Sequence, residues 1–247
     1  MTIQNATMII MRSSSTKTKA KARTNGDWSG WTVFGEIRIS QPFVLPVVLA
    51  RQEVAAVLGA VREPRFSACL RLIYHCGLRV GEATRIEVRD LQDSHTDHPR
   101  LHVRNGKGGK DRFVPMSPGM VAELRQWWCT HRHPKLLFAS PGRGWADRTE
   151  SLSQVMGKAT EPMSVSSVQM AFKLARGQSG INSAATPHTL RHSYATHLLE
   201  EGVSLRQISQ YLGHESLDTT VIYTHLTSIS EAKTRAALQT LHHALKR

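Results

Sequence analysis

The chain has 247 residues, 40% of them hydrophobic, and its 32 Lys and Arg against 19 Asp and Glu give a formal net charge of +13. That length allows one large domain or two small ones with a buried core, and the basic excess directs attention to a polyanionic partner, nucleic acid first. Three cysteines, Cys69, Cys76 and Cys129, are too few and too scattered for a disulfide framework or a zinc ribbon, which fits a reducing cytoplasm, and no run of about 18 apolar residues offers a membrane span.

Residues 1–44 differ from the rest. Ser13 to Arg23 is polar, basic and aperiodic, so a disordered basic segment is expected there. The apolar run Met8 to Met11 precedes the positive charges, the wrong order for a secretion signal. Trp28 to Ile39 reads as a strand or a helix fragment, and the sequence does not decide between them. A helix-rich unit begins near residue 45. Val54, Val57, Leu58 and Val61 recur at helical spacing. Pro64 opens a second helix through Ala68, Leu70, Leu72 and Ile73, with Cys69 and Cys76 in its core and Gly77 at its end. Arg79 then stands at the start of a short helix carrying Glu82, Ala83 and Ile86.

Leu101-His102-Val103 and Arg112-Phe113-Val114 alternate like strands. Gly106, Gly108 and Gly109 between them permit the positive φ angles of a hairpin turn, which puts Lys107 and Lys110 at its tip. No Gly-Lys-Ser/Thr follows a strand, so this is not a nucleotide-cradling loop. Ser117-Pro118 starts a helix with Val121, Leu124, Trp127 and Trp128 in the core. Ser140 to Ser164 is loop-like in composition. Ser164 starts another helix, with Val165, Val168, Phe172 and Leu174 packing and Gly177 closing. Thr186-Pro187 opens the helix that carries His188 and Arg191 on one side near its N-terminus, where unpaired N–H groups and the helix dipole favour a phosphate. Tyr194, Ala195, Leu198 and Leu199 form its buried side and Gly202 ends it. Ser204 caps a further helix with Leu205, Ile208 and Leu212 inward, and Gly213 delivers His214. Thr219 to Tyr223 is short and β-branched, so a loosely held helical piece is expected. Ile229, Ala232, Ala236, Leu238, Leu241 and Leu245 predict a final amphipathic helix that caps its own core or docks on a neighbour. The fold class that follows is α+β, mainly α-helical, with a small antiparallel β-sheet.

His188-Thr189-Leu190-Arg191-His192, then Leu212-Gly213-His214, then Tyr223 order three imidazoles, a guanidinium and a phenol within one stretch. These groups suit attack on a phosphodiester. Arginine presents a planar fork to phosphate oxygens, histidine donates hydrogen bonds or moves protons near neutral pH, and tyrosine serves as a covalent nucleophile. Gly77-Leu78-Arg79-Val80-Gly81-Glu82 adds a second arginine beside a carboxylate, and Asn105 to Arg112 adds Lys107 in a glycine-rich turn. His131-Arg132-His133 and the pair His188 and His192 are the best metal candidates among 13 histidines, but partners at ligand spacing are missing and no metal is expected.

The order Arg79, Lys107, His188, Arg191, His214, Tyr223 resembles the tyrosine recombinase (phage integrase) family, the Xer-type members most closely. His214 follows Arg191 by 23 positions and precedes Tyr223 by nine, as in that family's pattern. The resemblance runs from about Leu45 almost to the C-terminus. It implies the DNA breaking-rejoining catalytic fold over residues 45–247 and a site-specific recombinase or integrase, as in mobile genetic elements, working on double-stranded DNA without metal, ATP or other cofactor. By the same resemblance Arg79 and Arg191 clamp the scissile phosphate, His188 and His214 add hydrogen bonds, His188 helps to take the phenol proton, and Lys107 protonates the leaving 5′-oxygen. Tyr223 forms the 3′-phosphotyrosyl link and Glu82 orients the cluster. Arg104, Lys110 and Arg112 are expected to touch DNA. His192 and His197 read as structural.

The family carries a helical core-binding domain before its catalytic half, and residues 1–44 are too few and too unlike helices to supply one, so that domain is expected to be absent. This leaves two other readings open. One is a DNA-binding remnant without productive recombination. The other is a relaxing enzyme like the type IB topoisomerases. The family's assembly on DNA further implies a homo-oligomer.

Overall fold

The structure, a computed structural model, describes residues 46–104, 106, 109–142, 144–145, 149–181, 184–214, 218–225 and 239. The chain divides into two units, Met1–Phe43 and Val44–Arg247, and every described residue belongs to the second. The basic N-terminal segment, Lys107 and, apart from Gln239, the final helix expected over Ile229 to Leu245 lie outside the described residues.

Twelve elements follow in chain order among the described residues: α1 (Arg51–Gly59), α2 (Pro64–Cys76), α3 (Val80–Ala83), β1 (Leu91–Gln92), β2 (Arg100–Val103), β3 (Arg112–Pro115), α4 (Pro118–His131), α5 (Leu152–Gly157), α6 (Val165–Gln178), α7 (Pro187–Glu200), α8 (Leu205–Leu212) and α9 (Asp218–Val221). Single turns of 3-10 helix cover Val88–Asp90 and Ile222–His225. Local chemistry sets many of the boundaries. Pro occupies the first turn of α2, α4 and α7, where its missing N–H costs nothing. Serine hydroxyls at Ser117, Ser151, Ser164 and Ser204 each accept from a backbone N–H three residues on. Gly77 and Gly213 close α2 and α8 in the left-handed conformation.

Helix α2 is the centre of the core. Cys69, Leu70, Leu72, Ile73 and Cys76 on it are fully buried, and it packs on α1, α4, α6 and α7. Helix α7 lies between two apolar clusters. Leu190 belongs to the main one, while Tyr194, Ala195 and Leu199 join Ile208, Leu212 and Tyr223 in a second. A helix buried on nearly every side must satisfy its polar groups internally. Accordingly Ser193 Oγ donates to Thr189 O and accepts from Leu49 N–H, and His197 Nδ1 lies 2.8 Å from the Tyr74 hydroxyl.

The sheet runs β1-β2-β3, antiparallel throughout, with Leu101 opposite Val114 and Val103 opposite Arg112. Leu101, Val103 and Val114 face the core. On the outer face the Phe113 ring stacks on His102 at 4.6 Å between ring centres. Strand β3 also packs against α8, and this brings Arg112 under the C-terminal end of that helix.

Four expectations need correction. The stretch Ser140 to Ser164 contains α5, which Ser151 and Gln154 cap reciprocally. The sheet has a third, two-residue strand. Leu174 does not pack: it is 60% exposed, because Val168, Phe172 and Ala175 already fill the inward stripe of α6. Tyr223 is not loosely held: it is 1% exposed within the second cluster.

Candidate active site

Glu82 is the anchor of the site. It accepts from the backbone N–H of Arg79 at 2.8 Å and from Arg79 Nη1 at 2.8 Å. From the other side Arg112 grips it with both terminal nitrogens, Nη1 to Oε1 at 3.0 Å and Nη2 to Oε2 at 2.7 Å. Burial alone would push this carboxyl up; the hydrogen bonds and charge of Arg112, with those of Arg79, override that and hold it at about 2. Sequence explains the placement. Gly77 reverses the chain after α2, and the short helix α3 sets Glu82 at its third position, where a carboxylate reaches back to the N–H before the helix. Arg79, held by that contact, keeps 28% of its side chain exposed.

Arg191 sits deeper, at 2% exposure. Its Nη1 donates to Gly77 O at 2.7 Å and its Nη2 to Leu212 O at 2.6 Å. Both carbonyls belong to helix ends, where the last C=O groups lack intrahelical partners, so the two glycine-terminated helices fix the plane of the guanidinium. Glu82 Oε2 lies 4.0 Å away. Burial, then the positive charge of Arg79, draws the Arg191 pKa down to about 10, so the cation remains charged at neutral pH. Gly77 cannot be replaced freely here. Its φ is +60°, and a Cβ would fall 2.4 Å from Tyr194 Cδ1.

His188 and His214 complete the rim. His188 lies in the first turn of α7, at the surface; partial desolvation and then the charges of Arg191 and Arg79 lower its pKa. His214 follows the left-handed Gly213, and its Nδ1 lies 2.8 Å from the Oγ1 of buried Thr220 on α9. Burial first, then Arg191, Arg79, His192 and Arg112, pushes the His214 imidazole down to about 4. Tyr223, on the 3-10 turn after α9, has its hydroxyl 3.0 Å from His192 Nδ1. Burial raises its pKa and the charge of Arg191 opposes the rise.

The structure therefore gathers Arg79 and Glu82 from the start of α3, His188 and Arg191 from the start of α7, His214 from the end of α8 and Tyr223 from the turn after α9. Two residues carry jobs the sequence reading did not give them. Arg112 was expected on DNA, yet its side chain is 8% exposed, bound to Glu82 and to Tyr211 O at 2.7 Å. The strand alternation already held the signal: Arg112 and Val114 share a face, and Val114 is core. His192, expected to be structural, contacts the phenol. Arg104, also expected on DNA, points back to Asp90 at 2.6 Å and Glu87 at 3.8 Å, which neutralises much of its charge. Lys110 is exposed on the hairpin. The His131 and His133 pair serves the backbone: His133 Nδ1 accepts from the N–H groups of Lys135 and Leu136, and its Nε2 lies 2.7 Å from Ala159 O.

Residues 48–229 match the phage integrase family. The chain belongs to that family. Among curated relatives of this integrase-family chain, an "Integrase/recombinase" of Escherichia coli is 35% identical over 223 residues, covering 80% of this chain and 65% of the relative. "Tyrosine recombinase XerA" of Pyrococcus horikoshii is 35% identical over 200 residues, covering 80% and 64%. The chain thus spans less than two thirds of the length of these relatives. The crystal structure of XerA recombinase aligns with a TM-score of 0.60 at 28% identity, over 83% of this chain and 67% of that one. A lambda integrase dimer bound to a COC′ core site shares the fold, with a TM-score of 0.56 at 22% identity over 76% of this chain and 50% of the other. The α+β architecture, mainly helical with a small antiparallel sheet, is that of the integrase-type catalytic unit. Within it, three arginines surround one carboxylate, an excess of positive charge that an anion is suited to balance.

Proposed function

We propose that this chain carries the catalytic unit, from about residue 45 onward, of a site-specific DNA recombinase or integrase that cuts and rejoins double-stranded DNA through a 3′-phosphotyrosyl intermediate. The observation that carries the reading is that Arg79 and Arg191 stand on either side of Glu82, with the charge of Arg191 reaching the Tyr223 phenol and both arginines acting on His214. Phosphoryl transfer needs charge stabilisation on the non-bridging oxygens and a nucleophile in line with the leaving group. Arg79 and Arg191 supply the two forks, and His188 and His214 supply hydrogen bonds at the rim. Glu82 and Arg112 orient Arg79 and border Arg191. Tyr223 attacks phosphorus and releases a 5′-hydroxyl, which takes its proton from Lys107. The covalent link keeps the energy of the broken bond for the second strand, so neither ATP nor a metal is required. Duplex DNA is the partner, Lys110 is available to its backbone, and copies of the chain assemble on it. Among the described residues no helix is long and apolar enough to cross a membrane.

A duplex nicked just past the cleavage position loses its short leaving strand and traps the intermediate. The wild-type protein should give a denaturant-resistant protein–DNA adduct, and Tyr223→Phe should bind the duplex equally and give none. DNA binding without an adduct would overturn the proposal in favour of a binding remnant. Plasmid relaxation without joining of partner sites would mark a topoisomerase-like relaxer.

A further inference from the structure

On α7, one turn beyond His188 and next to Arg191, His192 sets its Nδ1 3.0 Å from the Tyr223 hydroxyl. The two rings lie 5.8 Å apart at 47°, and His188 meets the His192 ring edge-on at 4.9 Å. Tyr223 is 1% exposed, so its proton has a protein group for a neighbour rather than bulk solvent. Resting on the reading of Tyr223 as the nucleophile, we propose that His192 is a further catalytic residue, whose Nδ1 accepts the phenol proton as the Tyr223 oxygen bonds to phosphorus. The Oη–H bond breaks and Nδ1–H forms. The Oη–P bond forms while P–O5′ breaks, and the 5′-oxygen leaves with a proton from the general acid, the part given above to Lys107. Rejoining reverses each step and returns the proton to Tyr223. The role that the sequence gave to His188 thereby moves one helical turn along, to the imidazole in contact with the reacting oxygen.

The charges around the pair make this transfer depend on substrate. Burial, then His188 and Arg191, hold the His192 imidazole at about 4, so it is neutral and has a lone pair to offer at pH 7. Burial and the same neighbours oppose an imidazolium in the free protein. A phosphodiester held by Arg79 and Arg191 brings a negative charge that offsets this opposition. The phenol therefore stays protonated until a phosphate arrives, and burial, which raises the Tyr223 pKa, reinforces that.

Single-turnover cleavage of the nicked duplex by wild type and His192→Asn tests the assignment, because the shorter amide keeps a hydrogen-bonding atom near Nδ1 but has no basicity. The variant should form the adduct about 10²- to 10⁴-fold more slowly, the usual range for a general base, and bind DNA as wild type does. The wild-type rate should rise with pH as the His192 imidazolium, held at about 4 in the free protein, gives up its proton, and the variant should lose that limb. A duplex with sulfur at the bridging 5′ position needs no protonation of its leaving group, so it should rescue Lys107→Ala and leave His192→Asn slow. An adduct rate within about threefold of wild type, faster cleavage, or rescue by sulfur overturns the assignment; faster cleavage would make His192 a restraint on Tyr223. If wild type yields no adduct, the recombinase reading itself fails. The assignment then falls with it. If wild type gives the adduct but the variant does not fold, ¹⁵N NMR of the wild-type imidazole decides: an Nδ1 without hydrogen supports the assignment, and a hydrogen-bearing Nδ1 overturns it.

Discussion

Arg112→Met removes the positive charge under α8 and keeps most of the side chain's length. The Arg112 and Glu82 side chains are 8% and 9% exposed, so their contact is a buried pair. Among the described residues the change leaves Glu82 with the two Arg79 donors, and it strands the Tyr211 carbonyl. Removing one partner of a buried ion pair costs about 3–5 kcal/mol. The depression of the Glu82 pKa from 4.5 to about 2 corresponds to roughly 3 kcal/mol between its charged and neutral forms, shared between Arg112 and Arg79. Because the second figure is shared, it points to the lower end of the first, a loss of about 3 kcal/mol. At about 2–4 °C per kcal/mol for a domain of this size, calorimetry should show Tm lower by about 6–12 °C. In a double-mutant cycle with Glu82→Gln, the double variant should be less destabilised than the sum of the singles by about 0.5–3 kcal/mol. A Tm loss under about 2 °C, or strict additivity, would refute the view that this pair is the keystone of the site.

Further outcomes follow from the same geometry. Gly77→Ala forces an L-residue to φ +60° and a methyl group against Tyr194; about 1–3 kcal/mol of backbone strain plus the overlap should lower Tm, and displacement of the Gly77 carbonyl from Arg191 should slow cleavage even below the unfolding range. Acidification should weaken the fold in two windows. His192 and His214 are held near 4 against an ordinary 6.5, so the unfolded chain takes up their protons first and stability falls as pH drops from 6.5 towards 4. Glu82 is depressed, so its contribution is whole above 4.5 and is lost as pH falls towards 2. Urea midpoints measured against pH should show the first window flattened in His214→Asn, and a flat wild-type curve between pH 6.5 and 4 would contradict the assigned charge states.

Much of this was legible in the residues. Pro64, Gly77, Ser117, Ser164, Thr186 and Ser204 mark helix boundaries through local chemistry that tertiary packing leaves intact. Glycine between two alternating runs likewise located the hairpin. What escaped depends on partners distant in sequence. Arg112 is a surface cation until β3 is laid under α8, when Glu82 and the Tyr211 carbonyl take its donors. His192 is one of many histidines until the turn after α9 sets Tyr223 against it. Leu174 reads as core from composition, but the stripe Val168, Phe172 and Ala175 leaves it outside. Strand β1 is too short to carry a periodicity of its own and exists because Leu91 and Gln92 pair with β2.

The account depends on Tyr223 being the atom donor of a covalent bond to DNA. Proteolysis of the adduct trapped on a nicked duplex, followed by mass spectrometry of the DNA-linked peptide, tests that directly. The account predicts a single modified residue, Tyr223, joined to the 3′-phosphate of the cut strand, with the 5′-hydroxyl free. Attachment to any other residue, or to a 5′ end, would contradict it.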